Sequence, residues 1–220
     1  MKRLAGVWVL LVCCCSCTGT VLLPDLQPSA ADPAITRRCQ SIFPTGRWQL
    51  VHRITFENAE GKGEVMGVLV LDGQEIRCAL MTVEGLTLFE ARADKNKAFE
   101  VSRAIAPFDT KDFAFGLLRD VRTIFQIPEG DLGQGIAKGA QPVCRYTQAE
   151  RVTDIAVAAD GCWTMARYID RKHIQTITAT SCTTTEPMIL PNDIELVSAG
   201  PAGYSLRMHL LSAEKLPAAF

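Results

Sequence analysis

The chain has 220 residues, enough for one globular domain or two very small ones, and a chain of this size buries roughly 70% of the surface it exposes when unfolded. Lys and Arg number 23 against 24 Asp and Glu, a formal net charge of -1, so no global electrostatic pull toward nucleic acid follows. Hydrophobic residues at 48% against 21% charged exclude disordered, collagenous and acidic-tail classes.

Met1-Lys2-Arg3 forms a positive n-region, and Leu4 to Val12 is an apolar stretch too short to cross a bilayer comfortably as a helix. Together they predict a secretory signal. Cys13-Cys14-Cys15-Ser16-Cys17 follows where a cleavage site belongs and resembles a bacterial lipobox, in which a small residue precedes the cysteine that receives a diacylglycerol. Only Cys17 follows a small residue other than cysteine, Ser16; Cys14 stands where the motif usually has Leu. The alternative is a plain cleaved signal with incidental cysteines. The lipobox resemblance implies residues 1–16 as signal peptide and Cys17 as a lipidated N-terminus. Its acyl chains would hold at roughly 0.8 kcal/mol per buried methylene. Thr18, in place of Asp, implies sorting to the outer membrane, facing the periplasm. From Thr18 to Arg38 the chain carries Pro24, Pro28 and Pro33 and no periodicity, the pattern of a flexible tether. The expected layout is 1–16 signal, 17–38 lipidated tether and 39–220 folded domain.

Strand signals dominate the body. Arg47 to Glu57 alternates, with Trp48, Leu50, Ile54 and Phe56 on one face. Val65 to Leu71 is apolar on both faces, and Asp72-Gly73 turns the chain into Glu75 to Val83. Glu84-Gly85 leads to Leu86 to Arg92, and Asp94-Lys95-Asn96 to Ala98 to Ile105. Five strands joined by such short turns predict an antiparallel meander.

The period then changes. In Asp112 to Gln126, Phe113, Leu117, Val121 and Ile124 share one helical face, with Phe115, Leu118 and Phe125 on a flanking stripe. Asp109 or Thr110 can cap this helix, and Pro128-Glu129-Gly130 stops it. Polar positions are confined to Arg119, Asp120, Arg122 and Thr123, so the helix is expected to lie on a sheet. Gly130 to Gly139 holds four glycines and predicts a flexible loop without a phosphate-binding pattern. Strands resume at Val143 to Thr147, Val152 to Ala158, Cys162 to Ile169, His173 to Thr180, Ile194 to Ser198 and Tyr204 to Leu211. The expected class is α+β, with about eleven antiparallel strands around one principal apolar helix.

Nine cysteines less the four at 13, 14, 15 and 17 leave Cys39, Cys78, Cys144, Cys162 and Cys182. An odd number leaves at least one thiol free or paired elsewhere. Cys78 reads as a small buried hydrophobe; Cys144, Cys162 and Cys182 are the better candidates for one bridge, the pair left open. None has metal-ligand or thioredoxin-like spacing, so neither a metal nor a cofactor is expected. His52, His173 and His209 sit within strand patterns, and no nucleophile-base motif occurs. His52 has the inward parity of its strand and reads as a histidine lining a core or cavity. No catalytic residue is nominated. Arg92 and Arg103 could face inward to meet a lipid phosphate or carboxylate at a cavity mouth, or outward to keep the sheet soluble.

An anchored chain with a strand meander, one apolar helix and further strands resembles the LolA/LolB-like group of lipoprotein-carrier domains. Three stretches carry the likeness: Trp48 to Phe56, the GVLVLDGQEIRCALMTVEGLTLFEARAD meander of Gly67 to Asp94, and the DFAFGLLRDVRTIFQ helix with the closing GYSLRMHL strand of Gly203 to Leu210. No apolar loop tip of the kind the membrane receptor uses stands out. The resemblance implies a strongly curved, incomplete antiparallel barrel, an apolar concave face and a helical lid. Exposing a sixteen-carbon chain to water costs on the order of 10 kcal/mol, so a carrier must cover it. The inward set is Trp48, Leu50, Ile54 and Phe56, then Leu69 and Leu71, then Leu86 and Leu88, with Phe113, Leu117 and Val121 as lid. The same residues could equally form a closed core. Two functions follow as expectations: a membrane-anchored protein binding or transferring acylated cargo, lipoprotein or glycolipid, or a non-catalytic assembly lipoprotein that binds an envelope protein partner.

Overall fold

The computed structural model describes residues 21–220 except 74, 95–98, 140, 186–187, 201 and 218–220, with backbone only at 184, 185 and 188. The signal peptide and Cys17 lie outside the described residues, as does most of the Asp94-Lys95-Asn96 turn. Strand β1 (Gln27–Pro28) and helix α1 (Pro33–Gln40) come first. Five strands follow: β2 (Arg47–Asn58), β3 (Gly61–Asp72), β4 (Glu75–Met81), β5 (Thr87–Ala93) and β6 (Phe99–Ala104). Helix α2 (Lys111–Phe125) separates these from β7 (Asp131–Ile136), β8 (Pro142–Gln148), β9 (Arg151–Val157), β10 (Trp163–Ile169), β11 (Lys172–Thr185), β12 (Met188–Ser198) and β13 (Tyr204–Lys215). All thirteen join one antiparallel sheet in the order β1-β7-β8-β9-β10-β11-β12-β13-β2-β3-β4-β5-β6. The sheet is not closed: its ends are β1 and β6.

Among the described residues the sheet has thirteen strands where about eleven were expected, and a short helix, α1, joins the principal helix α2; each addition has a local cause. The glycine-rich stretch is strand β7, not a loop. Glycine hides strand propensity but lets backbones close in: a Cβ on Gly135 would sit 2.6 Å from Leu26 Cβ, where β1 lies against β7. Helix α1 begins where Asp32 caps it, its side chain accepting from Ala34 N–H at 2.8 Å, with Pro33 pre-setting the first turn. Residues 21–38, expected as a flexible tether, run along the body. Leu23 N–H donates to Arg171 O at 2.7 Å, His173 N–H to Val21 O at 2.9 Å, and Asp32 N–H to Gln134 Oε1 at 2.8 Å.

Among the described residues there are two disulfides, Cys39–Cys144 tying α1 to β8 and Cys162–Cys182 joining the residue before β10 to β11, and Cys78 is a free, buried thiol. Burial pushes the Cys78 thiol up to about 12, so it behaves as the small hydrophobe expected.

Curvature follows from what α2 touches. Its Phe115 ring stacks edge-on against Phe99 of β6 at 4.4 Å, and its Asp120 accepts from Gln175 of β11. Those residues are about 7.5 Å apart along a helix, whereas β6 and β11 would lie about 34 Å apart in a flat sheet. The sheet therefore curls around the helix, as a strongly curved half-barrel requires. The core fills that curl with Leu50, Leu69, Ile76, Phe89, Ile155, Met165, Ile177 and Leu196, each at or below 5% exposure. Helix α2 is turned slightly from the expected orientation. Ala114, Leu118, Ile124 and Phe125 are buried, while Phe113, Leu117 and Val121 are half-buried at the core's margin.

Candidate functional site

The nominated inward residues are brought together, but as packing rather than as walls of a hollow. Trp48, Leu50, Leu69 and Leu71 are buried, and Ile54, Phe56, Leu88, Phe113, Leu117 and Val121 pack against them half-buried. Aromatic rings fill the space under the front of the helix: Phe113 lies 5.3 Å from Phe89 and 5.0 Å from Phe108, which in turn meets Phe56 at 6.4 Å. Glycines on β3 make this fit possible. A Cβ on Gly63 would sit 2.3 Å from the Phe56 ring, and one on Gly67 2.5 Å from Ile54. Leu86 departs from the set. It stands 52% exposed beside Val83 at 65%, so the β4–β5 turn is an exposed apolar tip that the sequence did not suggest.

Open volume lies instead behind the other half of the helix. A cleft of about 570 Å³ is bounded by the C-terminal half of α2, the Phe43-Pro44 turn after α1, and β8 to β10. None of the nominated residues lines it. Phe115, Leu118, Phe125 and Ile127 form its roof, and Tyr146 and Met165 lie on the strand side. Four arginines also face it, Arg119, Arg122, Arg151 and Arg167, with the acids Asp94 and Glu129. Arg122 Nη2 donates to Asp94 O at 3.1 Å, and Gln148 Nε2 to Glu129 Oε2 at 2.9 Å.

A polar latch fastens the helix beside this cleft. Asp120, only 4% exposed, accepts from the Tyr204 hydroxyl of β13 and, at 3.2 Å, from Gln175 Nε2 of β11. Gln175 Oε1 in turn accepts from Arg167 Nη1 at 2.8 Å, and Arg119 Nε lies 3.6 Å from Asp120 Oδ1. Burial, with the Asp120 charge adding to it, pushes the Tyr204 hydroxyl up to about 12, so it remains a donor. Burial, and then the charges of Arg119 and Arg151, hold Arg167 below its ordinary value.

Other nominated side chains sit apart from the cleft. His52 is 3% exposed, its ring 5.9 Å from Phe125, and burial lowers it to about 4, so it is neutral at pH 7. His173 meets Thr176 Oγ1 at 2.8 Å, and His209 meets Asp193 Oδ1 at 2.8 Å on the solvent side. Arg92 pairs with Glu100 at 2.6 Å in the open, and Arg103 is exposed. Of the two placements open to these arginines, both take the outward one. The described residues contain no cluster of three or more potential metal ligands.

The sequence does not match any family model or any curated protein. Solved structures are similar to it in fold. A domain named for outer membrane lipoprotein sorting, from Vibrio parahaemolyticus, is 8% identical with a TM-score of 0.52, covering 82% of this chain and 90% of that one. A LolA superfamily protein from Nitrosomonas europaea is 12% identical with a TM-score of 0.56, covering 86% of this chain and 96% of the other. The chain therefore has the LolA-like fold that its strand pattern resembles. At such identities the likeness is one of fold, and the site must be argued from its own residues.

Proposed function

We propose that this protein binds acylated cargo, a lipoprotein or glycolipid, with the acyl chain entering the cleft under the C-terminal half of α2. The observation that carries this reading is the cleft itself. Its volume lies within the range of small-molecule sites, and its apolar roof belongs to a helix fastened to the sheet by the Asp120 latch and by the Arg122–Asp94 hydrogen bond. Releasing Asp120 would let α2 lift and expose Phe113, Leu117 and Val121 together with Leu50, Leu69 and Leu71 beneath them. The nominated residues would then extend the hollow rather than plug it. The lipoprotein-sorting name of one fold neighbour agrees with such a role. Under this reading Cys17 carries the anchor, the outer membrane holds it facing the periplasm, and the protein is a carrier rather than an enzyme.

Native mass spectrometry of protein extracted from envelopes tests the reading: a bound acylated molecule is expected, and a spectrum with protein mass alone would count against it. Incorporation of a labelled fatty acid that is lost in Cys17→Ser checks the anchor. A second reading, binding of a protein partner, has its own observation. β6 is an open sheet end with Val101 and Ile105 each 38% exposed, suited to pairing with an added strand. Recovery of one stable partner without lipid would favour it.

A further inference from the structure

We propose that the molecule taken into this cleft is an anionic amphiphile, whose phosphate or carboxylate head is held by Arg119, Arg151 and Arg167. The inference rests on the acyl-chain reading above and names the class of head group. It begins with strand parity. Arg151 of β9 shares its side of the sheet with Ile155 and Val157, and Arg167 of β10 shares its side with Trp163 and Met165, all four of them buried. Both arginines thus stand on the face that elsewhere supplies core, Arg167 half-buried on it and Arg151 exposed at its edge, where β9 begins.

Helix α2 brings Arg119 to the same place. All three line the one cleft, and burial first, then the Arg119 and Arg151 charges, hold the Arg167 value down. The one buried carboxylate beside them, Asp120, already accepts from Tyr204 and Gln175. Arg151 has no ion-pair partner among the described residues. Arg119 lies 3.6 Å from Asp120, yet the four arginines of the cleft outnumber Asp94, Glu129 and Asp120, and an anion would meet that excess with charge-assisted hydrogen bonds. Phe115, Leu118 and Phe125 continue from the arginines as an apolar roof, so a charged head and an aliphatic tail find their surfaces side by side. A neutral or cationic head would forfeit the first half of that match.

The full chain, held in nanodiscs, is labelled with octyl probes that carry a diazirine on the tail and a phosphate, carboxylate, glucoside or trimethylammonium head, and the labelled peptides are mapped. Phosphate and carboxylate probes are expected to label α2 and β10 about tenfold more than the neutral and cationic probes, as one or two ionic hydrogen bonds give. In Arg151→Gln the anionic labelling should fall several-fold while the glucoside labelling stays unchanged, which also shows that the variant is folded. Equal labelling of the cleft by all four heads would overturn the anionic preference and leave the acyl-chain reading standing. Labelling of the cleft by none would overturn both. Competition by inorganic phosphate as effective as that of octyl phosphate would also overturn the proposal, because the arginines would then bind a free anion. The head-group comparison on the unaltered protein decides without any variant.

Discussion

His52 is a neutral imidazole in an apolar setting, and its consequence for stability has a definite sign. Above pH 6.5 it is uncharged in both folded and unfolded chains and contributes nothing to pH dependence. As pH falls from 6.5 toward 4, the unfolded chain takes up a proton that the folded one refuses, and stability declines; below about 4 both hold it and the loss is complete. The full loss is about 3 kcal/mol. Chemical denaturation between pH 7 and 4 should show this slope in the native chain and not in His52→Gln. Asp120 is the other decisive residue. Asp120→Ala leaves Gln175 and Tyr204 without their acceptor and should cost about 2 kcal/mol, with faster amide exchange across Lys111–Phe125 as the specific sign that the latch has opened. The sequence places Asp120 only among the helix's few polar positions, although it lies three residues after Leu117 and four before Ile124, on the apolar face. The partners were not legible, because Tyr204 and Gln175 come from strands 84 and 55 residues away and no local pattern links them.

The elements divide by how plainly their chemistry shows in their own residues. β2 to β6 and β8 to β13 announce themselves by alternation and by turns such as Asp72-Gly73 and Asp160-Gly161, and their observed bounds differ from expectation mostly at the ends. β1, β7 and α1 do not. Their prolines and glycines read as breakers in isolation and become useful only against a neighbour: Gly135 admits β1, and Pro33 starts α1. The lid's rotation has a similar cause. The helical period puts Phe115 on a flanking stripe, and Phe99 of β6 gives it an edge-on partner while leaving it 57% exposed. The disulfides set two loops of very different size. By the chain-entropy account, Cys39–Cys144, spanning 105 residues, contributes about 5 kcal/mol and Cys162–Cys182, spanning 20, about 3 kcal/mol. Replacing each pair by alanine and comparing denaturation midpoints should give the larger loss for Cys39 and Cys144, together with loosening of α1 and the Phe43-Pro44 wall of the cleft.

For the whole molecule, a long open sheet must either stay flat and exposed or curl onto something, and here it curls onto one helix that bridges its two halves. The alternation of residues marks which side faces inward, and so the half-barrel class was readable from the strand pattern with its family resemblance. It does not mark where side chains run out. Phe56, Phe89, Phe108 and Phe113 fill the greasiest half of the curl, while the emptier half carries arginines, Arg151 and Arg167 at the ends of inward-facing strand alternations and Arg119 on the helix. The exposed Val83 and Leu86 at the β4–β5 turn are illegible for the converse reason: two separated apolar residues flanking Glu84-Gly85 resemble strand ends. Binding of a palmitoylated peptide, compared with the same peptide lacking the chain, tests the central claim most directly. Titrated into the native protein and into Phe115→Glu, the acylated form should bind at least about a hundredfold more tightly than the bare peptide, and the substitution in the cleft roof should remove most of that advantage. Equal affinity for the two peptides, or an advantage untouched by Phe115→Glu, would contradict the assignment of the cleft.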